Sequence, residues 1–176
     1  VGVPDVLVNN AGAFVPGQLH AEDDGALERM LAANLFSAYR ITRALLPGMM
    51  ARGSGTIINI GSTASHTQYP KGNVYAATKF AVRALSEGMS IDLVGTPLRI
   101  SQIDPGLVET EFSVVRFHGD DERARKVYEG FRPLTGDDIA DTISYVAGLP
   151  EHMNILDLVV VPTAQRNISI VDRKTT

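Results

Sequence analysis

Short apolar runs rich in β-branched residues recur along the chain, and each ends in small, polar or turn residues. Asp5-Val6-Leu7-Val8 leads into Asn9-Asn10-Ala11-Gly12, Gly55-Thr56-Ile57-Ile58-Asn59-Ile60 into Gly61-Ser62, and Leu98-Arg99-Ile100-Ser101-Gln102-Ile103 into Asp104-Pro105-Gly106. Consecutive rather than alternating apolar positions are the mark of strands buried on both faces. Between these runs the period becomes helical. Asp23-Asp24 opens a pattern carried by Leu27, Met30, Leu31, Leu35, Ala38, Ile41, Thr42, Leu45 and Leu46, which predicts two nearly continuous helices laid over one sheet face. From Val74, the stripe Ala77, Phe80, Ala81, Ala84, Leu85 and Met89 predicts another helix in the same role, stopped by Gly95-Thr96-Pro97. Thr135-Gly136-Asp137-Asp138 has the form of a capping box, opening a helix through Ile139, Ile143 and Val146 that ends near Gly148-Leu149-Pro150. Strand and helix in alternation predict an α/β fold, a parallel sheet with helices on both faces.

Composition narrows the function without naming it. With 176 residues, 44% of them hydrophobic, the chain has apolar material for one sizeable core, and residues 1–176 read as a single domain. A net charge of −4 with Lys and Arg dispersed leaves no basic footprint for nucleic acid. No apolar run reaches membrane-spanning length. Cysteine is absent, which removes disulfides and thiolate metal sites and suits a cytoplasmic location. His20, His66, His118 and His152 are scattered without ligand spacing, so no metal is expected. The mixed-charge run from Asp120 to Lys126 reads as a solvated helix face.

Chemistry enters with Tyr75 and Lys79, four residues apart in Tyr75-Ala76-Ala77-Thr78-Lys79. On a helix that spacing puts both side chains on one face, where an ammonium favours the ionised form of a phenol whose ordinary pKa is about 10. Taken alone, the pair is equally an amphipathic helix with a snorkelling lysine. Ser62 changes the reading, because it stands at a strand end, where open α/β sheets place their sites. The other two strand ends carry turn chemistry of the same kind, and together the three look like one site.

At these positions the chain resembles the short-chain dehydrogenase/reductase family. Asn9-Asn10-Ala11-Gly12, Ser62, Tyr75 with Lys79, and Pro105-Gly106 match that family's motifs in order, and Asn34 falls where its catalytic tetrad has an asparagine. The resemblance implies the C-terminal part of a doubly wound, Rossmann-type sheet, with a Gly-rich cofactor-binding half expected before Val1. On that expectation the 176 residues alone would not sustain activity. It further implies an oxidoreductase using NADP, with NAD as the alternative, and commonly a homotetramer built through the Asn34 and Tyr75 helices. Tyr75 would be the general acid/base, and Lys79 would lower its pKa and hold the nicotinamide ribose. Ser62 would fix the substrate oxygen, and Asn34 would hold a water leading to Lys79. Asn10, Ala11 and Gly12 would flank the adenosine side of the dinucleotide, and Pro105, Gly106, Val108 and Thr110 the nicotinamide side.

The segments Ile60-Gly61-Ser62-Thr63-Ala64, Pro105-Gly106-Leu107-Val108 and Thr110-Glu111-Phe112-Ser113 are similar to the subgroup of this family that oxidises small 3-hydroxy acids such as serine, allo-threonine or 3-hydroxypropanoate. A carboxylate substrate needs a cation, and Arg116 in the covering loop is the nearest, with Gln165 and Arg166 in the tail as helpers. Two other readings stay open: a carbonyl reductase of another substrate, since fold does not fix substrate, and a non-catalytic fragment.

Overall fold

The computed structural model describes residues 2–22, 24–117 and 119–174. Four parallel strands make the main sheet: β1 (Val6–Asn9), β2 (Gly55–Ile60), β3 (Leu98–Pro105) and β6 (Asp157–Val160), in the order β1-β2-β3-β6. The register pairs Leu7 with Ile57, Ile57 with Ile100, and Ile103 with Leu158, so the strand ends expected to carry the chemistry lie side by side. A second small sheet joins β4 (Val108–Glu109) to β5 (Leu134–Thr135).

The helices are α1 (Asp24–Leu31), α2 (Ser37–Arg52), α3 (Asn73–Asp92), α4 (Glu111–Arg116), α5 (Asp121–Lys126) and α6 (Gly136–Ala147). Side-chain alternation along β2 assigns them to faces. Ile57 packs with Met49 of α2 and Met89 of α3, whereas Ile58 and Ile60 pack with Ile143 and Val146 of α6. Adjacent residues of one strand therefore feed two cores, as a doubly covered parallel sheet requires. Ile57, Ile58 and Ile103 are fully buried, each worth roughly 1.5–3 kcal/mol of transfer free energy.

The expected pair of helices is found as α1 and α2, joined by a π-helical turn, Ala32–Phe36, in which the Ser37 N–H reaches back to the Ala32 carbonyl. Asp23, read as the start of the first helix, and His118 lie outside the described residues. The capping box forms as expected: the Thr135 hydroxyl accepts from the Asp138 N–H at 3.2 Å and the Asp138 carboxylate accepts from the Thr135 N–H at 2.7 Å. The mixed-charge stretch is α5, with most of its charged side chains in solvent.

Two apolar stripes face differently from the sequence expectation. In the first helix, Ala26 and Met30 are buried while Leu27 is 42% exposed, and Ile41 of α2 is 46% exposed. In α3 the sheet-facing side is Tyr75, Ala76, Thr78, Lys79, Val82 and Ser86, leaving Ala77, Phe80 and Ala84 exposed. Polar side chains occupy the inner face of α3 because they have partners there. The Ser86 hydroxyl donates to Gln102 Oε1 at 3.0 Å and accepts from Asn59 Nδ2 at 2.9 Å.

Candidate active site

The carboxyl ends of β1, β2 and β3 open into one cavity of about 670 Å³. Asn10, Ala11 and Gly12 line it after β1, Gly61 and Ser62 after β2, and Pro105, Gly106, Val108 and Thr110 after β3. Tyr75 and Lys79 enter from the first two turns of α3, which lies between β2 and β3 in the chain. Every residue expected to touch the dinucleotide therefore meets at one hollow. Asn34 and Arg116 are not part of its wall.

Tyr75 is buried against aromatic rings: Phe14 meets it edge-on at 4.8 Å between centroids, and Phe112 stands 6.4 Å away. Lys79 Nζ lies 5.8 Å from the centre of the Tyr75 ring and donates to the Ile60 carbonyl at 2.8 Å. The phenol pKa moves opposite to the sequence expectation. Burial pushes it up to about 12, with the Asp104 charge adding to the rise, while the Ser62 hydroxyl and the Arg116 charge only partly oppose it. Lys79 is itself brought down to about 8 by burial, against the pull of Asp104. Desolvation outweighs the opposing charges, Arg116 for the phenol and Asp104 for the ammonium, because both groups sit almost wholly out of water.

Asn34 occupies the middle of the π turn, and both ends of its amide have partners. Oδ1 accepts from the Ala13 N–H at 2.6 Å, and Nδ2 donates to the Ala13 carbonyl at 3.0 Å and to the Thr78 hydroxyl at 2.8 Å. The side chain thus clips the segment after β1 to α3. A Cβ on Gly12 would stand 3.5 Å from Asn34 Oδ1 and 3.9 Å from Lys79 Nζ, so this glycine lies between the two.

Arg116 sits at the end of α4 with its guanidinium 4.3 Å over the Phe14 ring and 4.9 Å over Phe117. Its Nε is buried without a hydrogen-bond partner, and burial lowers its pKa from the ordinary range. The tail helpers are otherwise engaged: Gln165 accepts from the Leu107 N–H at 2.9 Å and donates to the Asn167 carbonyl at 3.0 Å, and Arg166 donates to the Thr163 carbonyl at 2.6 Å. Gln165 is thus committed to backbone partners, whereas the exposed Arg166 uses a single guanidinium nitrogen, Nη1, on its contacts.

Several residues matter here that the sequence did not single out. Phe14, directly after the Asn-Asn-Ala-Gly turn, walls Tyr75. Asp104, read only as a turn residue, is fully buried and gathers the Ser62 loop. His66, read as scattered, comes within 4.8 Å of Asp104 and Asp157 as a three-group cluster with ligand-like atoms. Arg83 already meets it, 3.0 Å from His66 Nδ1 and 3.7 Å from Asp157. Arg83 thus brings a positive charge to the edge of this cluster.

Comparison with known proteins agrees with this geometry. Residues 1–120 match the short chain dehydrogenase family. The NADP-dependent 3-hydroxy acid dehydrogenase YdfG of Salmonella typhi is 48% identical over 165 residues, covering 92% of this chain and 66% of the relative. The NADP-dependent 3-hydroxy acid dehydrogenase of Schizosaccharomyces pombe is 40% identical over 172 residues, again 66% of its length. The chain thus spans just under two thirds of these curated relatives. Among solved structures, the closed form of serine dehydrogenase complexed with NADP+ superposes with a TM-score of 0.92 at 42% identity, over 98% of this chain and 71% of that one. The chain belongs to the short-chain dehydrogenase family. Among the described residues no helix is long and apolar enough to cross a membrane.

Proposed function

We propose that this chain carries the catalytic residues of an NADP-dependent oxidoreductase acting on a small 3-hydroxy acid such as serine, allo-threonine or 3-hydroxypropanoate. The observation that carries the reading is the single cavity in which Ser62, Tyr75 and Lys79 converge with all three strand ends. NADP, when held in this cavity, would supply or accept the hydride. With a pKa near 12, Tyr75 is protonated at neutral pH and ready to donate to a carbonyl oxygen during reduction. In the oxidative direction the base is the deprotonated Tyr75 phenolate, which takes the alcohol proton and is favoured by the Ser62 hydroxyl and the Arg116 charge. Ser62 fixes the substrate oxygen beside Tyr75.

Lys79 uses one donor on the Ile60 carbonyl, leaving two protons for the ribose hydroxyls. Gly12, between Asn34 Oδ1 and Lys79 Nζ, leaves room for a water joining them. Asn10, Ala11 and Gly12 border the adenosine side, and Pro105, Gly106, Val108 and Thr110 the nicotinamide side. Arg116 receives the substrate carboxylate, which would satisfy its unpartnered Nε. The same reading includes a homotetramer through the outer faces of α2 and α3, where Tyr39, Ile41 and Phe80 are exposed; light scattering giving a monomer mass would contradict it.

One observation favours a second reading, a reductase of uncharged carbonyl compounds. Arg116 stays off the cavity wall, and Phe112, which lines it, stands beside Tyr75. A panel of substrates decides between the two. NADPH formation from serine or 3-hydroxypropanoate in the full-length protein supports the first reading; reduction of neutral diketones with no hydroxy acid oxidised supports the second.

A further inference from the structure

Ser62 is held from behind by a buried carboxylate. Asp104 at the end of β3 is fully buried, and its Oδ1 accepts the Ser62 N–H at 2.6 Å and the Ser65 hydroxyl at 2.8 Å. The Ser62 N–H also reaches the Ser65 hydroxyl at 3.1 Å, which closes a small ring of hydrogen bonds around the start of the Thr63–Ser65 turn. Gln102 Nε2 donates to both oxygens at 3.0 and 2.9 Å, and His66 Nε2 meets Oδ2 at 2.9 Å. Outside this ring Arg83 and Asp157 close the cluster, and Arg83 continues to Glu87 at 3.0 Å. The chain makes room for the arrangement at one residue: a Cβ on Gly61 would fall 1.9 Å from Asp104 Oδ1.

We propose that Asp104 is the positioning residue for Ser62, fixing through its Oδ1 and the Ser65 hydroxyl the peptide from which the Ser62 side chain reaches the substrate oxygen. A buried carboxylate is costly unless several donors satisfy it, and here all the nearest donors lie on the Ser62 loop or lock the carboxylate's own orientation. Hydrogen bonds to a charged acceptor are short and directional, so the loop has one geometry rather than several. The inference rests on the role of Ser62 given above and adds what makes that role possible.

A double-mutant cycle on the full-length protein tests it. Asp104→Asn keeps the shape and an acceptor oxygen but offers the Gln102 amide or His66 a second donor, and should lower kcat about tenfold with the NADP dissociation constant within about twofold. In a Ser62→Ala background the same change should cost less than about twofold, because the side chain it positions is gone. Ser65→Ala, a small change at a buried site, gives the same cycle if the Asp104 variant folds poorly, with an expected loss of about threefold only when Ser62 is present. An equal loss with and without Ser62 overturns the proposal; Asp104 would then act through its charge on Lys79 and Tyr75 or through stability alone. A Ser62→Ala protein with wild-type turnover overturns the role of Ser62 itself, which the single variant reveals before the cycle is closed.

Discussion

The site is built from two unlike regions. The shelf at the ends of β2 and β3 is dry and saturated: Ser65 and Asp104 are fully buried, Gln102 is 1% exposed, and each polar group there has partners. The covering segment from Val108 to Thr135 consists of two strands of two residues and two helices of six, with Val115 72% and Phe112 39% exposed. It is tied down by a few hydrogen bonds, notably Tyr128, which donates to the Val108 carbonyl at 2.8 Å and meets the Ser113 hydroxyl at 2.6 Å. The shelf fixes geometry that proton transfer needs to a fraction of an ångström. The covering segment can change its side chains with little cost to the core, which is where selection among substrates belongs.

The comparison breaks most visibly at Tyr75. Tyr75→Phe keeps the ring packed on Phe14 and removes the proton, so turnover should fall on the order of a hundred- to ten-thousand-fold with cofactor affinity retained. Steady-state rates within about threefold of wild type would end the assignment. A structural change at the π turn should be smaller and of another kind. Asn34→Ala removes a clip that joins Ala13 to Thr78 and leaves the buried Thr78 hydroxyl and partly buried Ala13 backbone groups without that partner, costing about 1–3 kcal/mol of stability by denaturant titration. No change in midpoint would mean that the π turn holds without its amide.

The smallest effect concerns pH. Burial and the neighbouring Asp104 push the Asp157 carboxyl up to about 6, from an ordinary value of 3.8. A carboxyl that holds its proton more tightly when folded contributes stability that is complete below about pH 4 and lost as pH rises through 6. Asp157→Asn should therefore gain in melting temperature relative to wild type between pH 4 and pH 7. A constant difference across that range would show that His66 and Arg83 already neutralise the group.

Local chemistry was legible where it lay on strand ends. β2 was read with its observed bounds, the β3 run lacked only its last two residues, and the capping residues Thr135 and Asp138 formed the expected motif. The face of α3 was not legible, because Tyr75, Thr78, Lys79 and Ser86 are polar residues buried for their partners, and hydrophobic period alone turns such a helix around. The partnership of His66 with Asp104 spans 38 residues and leaves no trace in spacing. The direction of the Tyr75 shift is not legible because burial, which a sequence does not state, outweighs the groups that pull the phenol down, the Ser62 hydroxyl and the Arg116 charge. The π turn at Asn34 carries no compositional mark.

The division between shelf and covering segment is tested most directly by one ratio, kcat/KM for a 3-hydroxy acid over kcat/KM for a neutral carbonyl compound, measured in wild type and Arg116→Ala. The guanidinium stacked between Phe14 and Phe117 has an unpartnered Nε, and losing a carboxylate contact there should raise the KM of the acid at least about tenfold, roughly 1.4 kcal/mol. Neutral substrates should hardly change, so the ratio falls by that factor. Equal losses on both substrates would contradict the account, making Arg116 part of the packing around Tyr75 rather than the group that reads the substrate's charge.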